Sequence, residues 1–184
     1  MNKDGIEYAD DDKESVWTLM KLRVPSLVLG LVLGVALSFV TSRFEEVLAV
    51  NISVAFFIPF VVYMADAVGT QTQNIYSRDL KSGKALFRKY LFKESILGIT
   101  LGLIFGLIIF PVIIFWFNSF ELALAVSLST FGAIASAPLI ALLITEVLEL
   151  EHLDPAVGAG PIATVIQDTA SVLIYGFIAS ALIL

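Results

Sequence analysis

Apolar residues run along this chain in long tracts broken by short polar intervals. Leu101–Phe117 (LGLIFGLIIFPVIIFWF) and Leu27–Val40 contain no charged residue. A helix that crosses a bilayer needs about 20 mostly apolar residues. The pattern predicts five such segments, at about Val24–Thr41, Val47–Thr70, Ser95–Phe117, Leu122–Val147 and Ala156–Leu184. The expected fold is therefore all-α and integral to the membrane, a bundle of five transmembrane helices per chain. Residues 1–16 read as a polar cytoplasmic N-terminal segment and residues 17–184 as one transmembrane domain. A polar interval, Gln71–Lys93, separates the second span from the third, and ELEHLDP precedes the fifth.

The basic residues give this pattern a direction, because Lys and Arg in short loops are retained on the cytoplasmic side. Lys3, Lys13, Lys21 and Arg23 flank the first span, and Arg78, Lys81, Lys84, Arg88, Lys89 and Lys93 follow the second. Only Arg43 falls on the other side. Five spans, with the N-terminus cytoplasmic and the C-terminus outside, satisfy the rule and place the chain as a multi-pass protein of the cell membrane, with lipid as its surroundings. The acidic start, MNKDGIEYADDDKES, has neither a basic leader nor a small-residue cleavage site, so no signal peptide is expected.

Composition narrows the function. The 184 residues are 58% hydrophobic and 15% charged, with a mean hydropathy of +0.92, whereas soluble domains are roughly a quarter charged. A net charge of −6 argues against nucleic acid as a partner. The absence of cysteine removes disulfides, thiolate metal sites and cysteine nucleophiles. His152 is the only histidine and sits in an acidic loop; one His without Cys does not make a zinc site.

Against this background Asp168 stands out, since a carboxylate near the centre of a spanning helix costs about 2.5–3.5 kcal/mol on insertion scales. Helical spacing puts Pro161, Thr164, Ser171 and Tyr175 on its face. A narrow polar stripe of this kind suits a water-filled path; the plainer reading is a protonated or paired group that glues helices together. The second span ends in a related cluster, MADAVGTQTQN, in which Asp66, Gly69, Thr70 and Gln73 share a face and Gly69 permits another backbone to approach. Gln71–Asn74 also fit a helix end emerging into water. Glu94, at the start of the third segment, suits the positive end of a helix.

Carboxylates and hydroxyls are oxygen ligands, which hard divalent cations prefer. Mg²⁺ gives up its waters reluctantly, so a few carboxylates that hold a hydrated ion suit it better than a full cage. One Asp per chain supplies too little charge, but a two-fold dimer with both fifth spans at its axis would present two Asp168 side chains. An intramembrane aspartyl protease would also use two Asp, yet its Tyr-Asp and Gly-x-Gly-Asp signals are missing, since the sequence reads Ala65-Asp66 and Gln167-Asp168. No enzyme is expected. A cation-coupled secondary exchanger and a non-transporting assembly subunit remain as alternatives.

The residues also resemble the transmembrane part of the MgtE family of magnesium channels and transporters. In Leu153–Tyr175, Asp154-Pro155-Ala156, Gly160-Pro161 and Asp168 keep the order and spacing of the family's last helix, with Ala159 where Ser is usual. Pro59 followed by Gly69-Thr70-Gln71 is similar to its second helix, and Lys93-Glu94 with Gly98 to the start of its third. Ala65-Asp66-Ala67 stands in place of that family's Gly-Gly-Asn. The resemblance covers about residues 17–184. It implies five spans with the N-terminus inside, a homodimer with a pore on its axis, and Asp168 as ligand of the hydrated Mg²⁺; the polar faces described above add Asp66 as a second expected metal ligand and Thr164, Ser171, Pro161, Gly69, Thr70 and Gln71 as the expected lining of the path. Typical members carry cytoplasmic sensor domains for which these residues have no room, so a separate regulatory subunit is a further expectation.

Overall fold

The computed structural model describes residues 12–150 and 155–184, with side chains other than those of 149, 150 and 155–161. Residues 1–11, His152 and Asp154 lie outside the described residues, and so does the side chain of Pro161. The described chain is helical, in the order α1 (Val16–Ser42), α2 (Glu45–Val50), α3 (Ser53–Lys81), α4 (Phe87–Phe117), α5 (Phe120–Leu150) and α6 (Pro155–Ile183). Five of these are long and apolar enough to cross a membrane, as the hydrophobic pattern predicts; α2 is the short exception.

Local polar groups set the boundaries. Ser15 caps α1 by accepting the Thr18 amide at 3.2 Å. The Asn51 side chain ends the break after α2 and accepts the Ser53 amide at 3.0 Å, which starts α3. Asn118 closes α4 in the left-handed conformation, with φ of 48°, and Ser119 then accepts the Leu122 amide at 3.2 Å. These hydrogen bonds occupy backbone groups that a helix end leaves open.

The largest departure from expectation is the interval Gln71–Lys93. It is not a long polar connection: α3 continues to Lys81, α4 begins at Phe87, and only residues 82–86 turn between them. The reason lies in one face of α3, where Ala65, Val68, Thr72 and Tyr76 are all buried while Gln71, Asn74 and Arg78 are exposed. Averaged hydropathy hides a stripe of period near four. The first and second spans shift as well, since α1 begins at Val16 and α2 occupies the sequence assigned to the start of the second span.

Helix α5 forms the centre, packed by α3, α4 and α6. Ala123, Ala125, Ala133, Ala137 and Ala141 are buried along it. Gly98, Gly102 and Gly106 bring α4 against it so closely that an added Cβ at Gly102 would stand 2.7 Å from the Phe131 carbonyl oxygen. Small residues at such crossings are what helix association in lipid uses in place of hydrophobic drive. By contrast α1 buries none of its own residues and packs mainly against α6. The Phe44 ring then lodges on Gly176 and meets Phe177 edge-on at 5.5 Å.

Candidate functional site: carboxylates midway along two helices

Within α3, Asp66 stands near the middle of the helix. It lies 13 residues from Ser53 and 15 from Lys81, and Asp168 lies 13 from Pro155 and 15 from Ile183. At about 1.5 Å per residue each carboxylate sits roughly 20 Å from either end of its own helix.

The two helices pack together and bring these levels into register. Thr164 Oγ1 donates to Asp66 Oδ1 at 3.3 Å, and Asp168 is close enough to Asp66 to feel its charge. Asp66, Thr164 and Asp168 are all partly exposed. No hydroxyl or amide is aimed at the Asp168 carboxylate among the described residues, so its oxygens keep their capacity to accept hydrogen bonds. Gly69, one turn along α3, is buried against Gln167, whose amide atoms lie 2.1–2.6 Å from where a Cβ would stand. The close approach expected at Gly69 is thus made by a side chain and not by a backbone. Gln167 Nε2 donates to the Ala137 carbonyl at 3.4 Å, while its Oε1 has no hydrogen-bond partner among the described residues.

The remaining predicted residues separate. Thr70 and Gln71 are exposed on α3. Ser171 is buried, and Tyr175, next on that face of α6, donates to the Val54 carbonyl at 2.8 Å. Half of the α6 stripe therefore serves packing, and its Thr164–Asp168 half meets Asp66. Glu94 does not open a helix: it lies seven residues into α4, is buried, and accepts the Thr72 hydroxyl at 2.8 Å. Tyr76 similarly donates to Glu146 at 2.5 Å, and Tyr90 to Asp79. Sequence reasoning missed Gln167 and these three pairs; the Thr72–Tyr76 spacing was the available signal.

Among the described residues no three carboxylate or imidazole side chains converge on one point. A pair of acids and a hydroxyl can orient water around a cation but cannot replace its whole hydration shell. Fold and site together define a class: a multi-pass helical membrane protein with two acids and a hydroxyl brought together between two of its long helices.

Comparison with known proteins makes that class specific. Residues 58–178 match the family described as "MgtE: Divalent cation transporter". The chain is 31% identical over 164 residues to the magnesium transporter MgtE of Bacillus subtilis, covering 88% of this chain and 36% of that protein. It is 32% identical over 161 residues to the magnesium transporter MgtE of Enterococcus faecalis, covering 86% and 36%. A more distant magnesium transporter MgtE, from Thermus thermophilus, is 24% identical over 181 residues. The chain belongs to the MgtE family, a family of transporters and not of enzymes. It spans a little over a third of the length of the relatives it matches.

Proposed function

We propose that this chain moves divalent cations across the membrane, Mg²⁺ foremost, with Asp168 holding the hydrated ion and Asp66 adding charge on the facing helix. The single observation that carries the reading is the meeting of Asp66, Thr164 and Asp168 where α3 packs on α6, with no donor to the Asp168 oxygens among the described residues. A carboxylate kept within a spanning helix costs several kcal/mol unless water, a partner or an ion compensates. A hydrated dication compensates it. Thr164 fixes the Asp66 rotamer, and the two carboxylates accept from the ion's waters.

A homodimer completes the proposal: two copies of the site across a two-fold axis double the charge that faces the ion. Thr70, Gln71 and much of α1 are exposed on the single chain, which supports their use at such an axis or in lipid. The charge distribution supports a cytoplasmic N-terminus and an external C-terminus. A separate regulatory subunit belongs to the same reading. Channel conduction and cation-coupled exchange share these ligands and separate only in the test.

Reconstituted protein in vesicles is expected to admit Mg²⁺, assayed beside Ca²⁺ and Mn²⁺, with and without a proton or sodium gradient. Asp168→Ala is expected to abolish uptake while the protein stays folded and monodisperse. Wild-type uptake by that variant rejects the site. An absence of flux of any divalent ion through the unaltered protein turns the reading to a non-transporting assembly subunit.

A further inference from the structure

The corner where α3 turns into α4 carries a second assembly, and it does not rest on the proposed transport. Lys84, Arg88, Lys89 and Lys93 are exposed there. The described acids in their neighbourhood are engaged elsewhere: Asp79 accepts from Arg78 at 3.1 Å and from Tyr90, Glu94 points inward to Thr72, and Glu146 takes the Tyr76 hydroxyl. Among the described residues Asp79 is the one carboxylate that also reaches a corner cation, Lys84, so the outward face carries an excess of positive charge. Leu86 precedes α4 without a side-chain cap, so the first amides of that helix add donors beside Arg88.

What these cations meet is fixed by the same helix. On the face that begins with Arg88, Lys89 and Lys93, exposed Phe92 and Ile96 follow, and then Ile99, Leu103 and Leu107. The surface changes from basic to almost wholly apolar within about one turn, roughly 5 Å, with the exposed Thr100 hydroxyl turned back onto the Ile96 carbonyl. That is the step from headgroups to hydrocarbon in a bilayer. A lipid whose acyl chains lie along the apolar part of α4 has its phosphate among these four side chains.

From this we infer that the α3–α4 corner is a binding site for anionic phospholipid, with Lys84, Arg88, Lys89 and Lys93 gripping the headgroup and the Phe92–Leu107 face holding the chains. Zwitterionic lipid offers the same tails but no net charge, so selectivity comes from the cations alone. Clusters of four or more basic residues at a membrane edge act this way.

The test is lipid retention by the full chain, read by native mass spectrometry in detergent supplemented with phosphatidylglycerol or phosphatidylcholine. The unaltered protein is expected to retain phosphatidylglycerol in preference, and the Lys84→Gln, Arg88→Gln, Lys89→Gln, Lys93→Gln variant to lose that preference by about tenfold or more. The milder Arg88→Gln, Lys89→Gln protein, for use if the fourfold variant does not fold, is expected to show a smaller loss in the same direction. Lys21→Gln, which alters the other basic flank, is expected to change nothing. Equal retention of both lipids by the unaltered protein overturns the inference. So does an unchanged preference in the corner variants, or an equal loss in Lys21→Gln. Phosphatidylglycerol binding that appears only after removal of the acidic residues 1–11 would assign the corner to that segment and overturn it too.

Discussion

Glu94 and Asp168 are both carboxylates inside long apolar helices, and the molecule treats them oppositely. Glu94 is only 8% exposed and receives the Thr72 hydroxyl at 2.8 Å. Asp168 is partly open, stands near the second carboxylate Asp66, and has no protein donor among the described residues. An acid that closes a hydrogen bond within the bundle stabilises a crossing, whereas one left with free oxygens beside another acid has its electrostatic cost met from outside the chain. On the proposed reading, the difference separates a structural acid from an ion-binding one without appeal to sequence position.

The hardest way to break that comparison is to neutralise each acid in turn. Asp168→Asn preserves shape and removes charge. If two charge-assisted hydrogen bonds to the ion's waters are lost, at about 1.5 kcal/mol each, Mg²⁺ flux falls about a hundredfold. Glu94→Leu leaves the Thr72 hydroxyl without its carboxylate and is expected to lower stability by about 1 kcal/mol. Its flux per folded molecule should be nearly unchanged, as measured by uptake in vesicles against thermal unfolding. A reversed outcome, with flux lost in Glu94→Leu and kept in Asp168→Asn, would exchange the roles.

A smaller effect is expected where the two helices touch. Gly69→Ala places a methyl group where the Gln167 amide lies, and overpacking of this kind costs about 1–3 kcal/mol. Flux is expected to fall by about tenfold if part of that strain moves α6 relative to Asp66. Gln167→Ala in the same chain should restore a good part of it by vacating the space. A double variant no better than Gly69→Ala would mean that the Gly69–Gln167 contact does not govern the register of the site.

How much of this was legible beforehand depends on the contrast each residue makes with its neighbours. Asp168 and Asp66 could be found because a charge within an apolar run is costly wherever the helix ends fall. The five spans followed from the same contrast. Glu94–Thr72 and Tyr76–Glu146 were hidden because residues 71–93 are polar on average, and an average over both faces reads as a loop in water. Their burial depends on α3 turning Val68, Thr72 and Tyr76 to one side. Gln167 was overlooked since only a three-helix crossing of Gly69, Ala137 and α6 gives its amide a place. Tertiary packing supplies that information, and no window of sequence contains it.

The finest distinction lies within the site, between the acid that is held and the acid that is free. Thr164 donates to Asp66 and not to Asp168, so Thr164→Val, which keeps the branched shape, releases only the Asp66 carboxylate. One hydrogen bond in a membrane bundle is worth about 1 kcal/mol or less, equivalent to a change of roughly fivefold at most. If Asp66 aids ion capture, this change appears in the half-saturating Mg²⁺ concentration while the maximal rate stays near the original. A lower unfolding temperature with both transport parameters unchanged would make the Thr164–Asp66 bond a tie between α3 and α6, and would leave Asp168 to hold the ion without help from its neighbour.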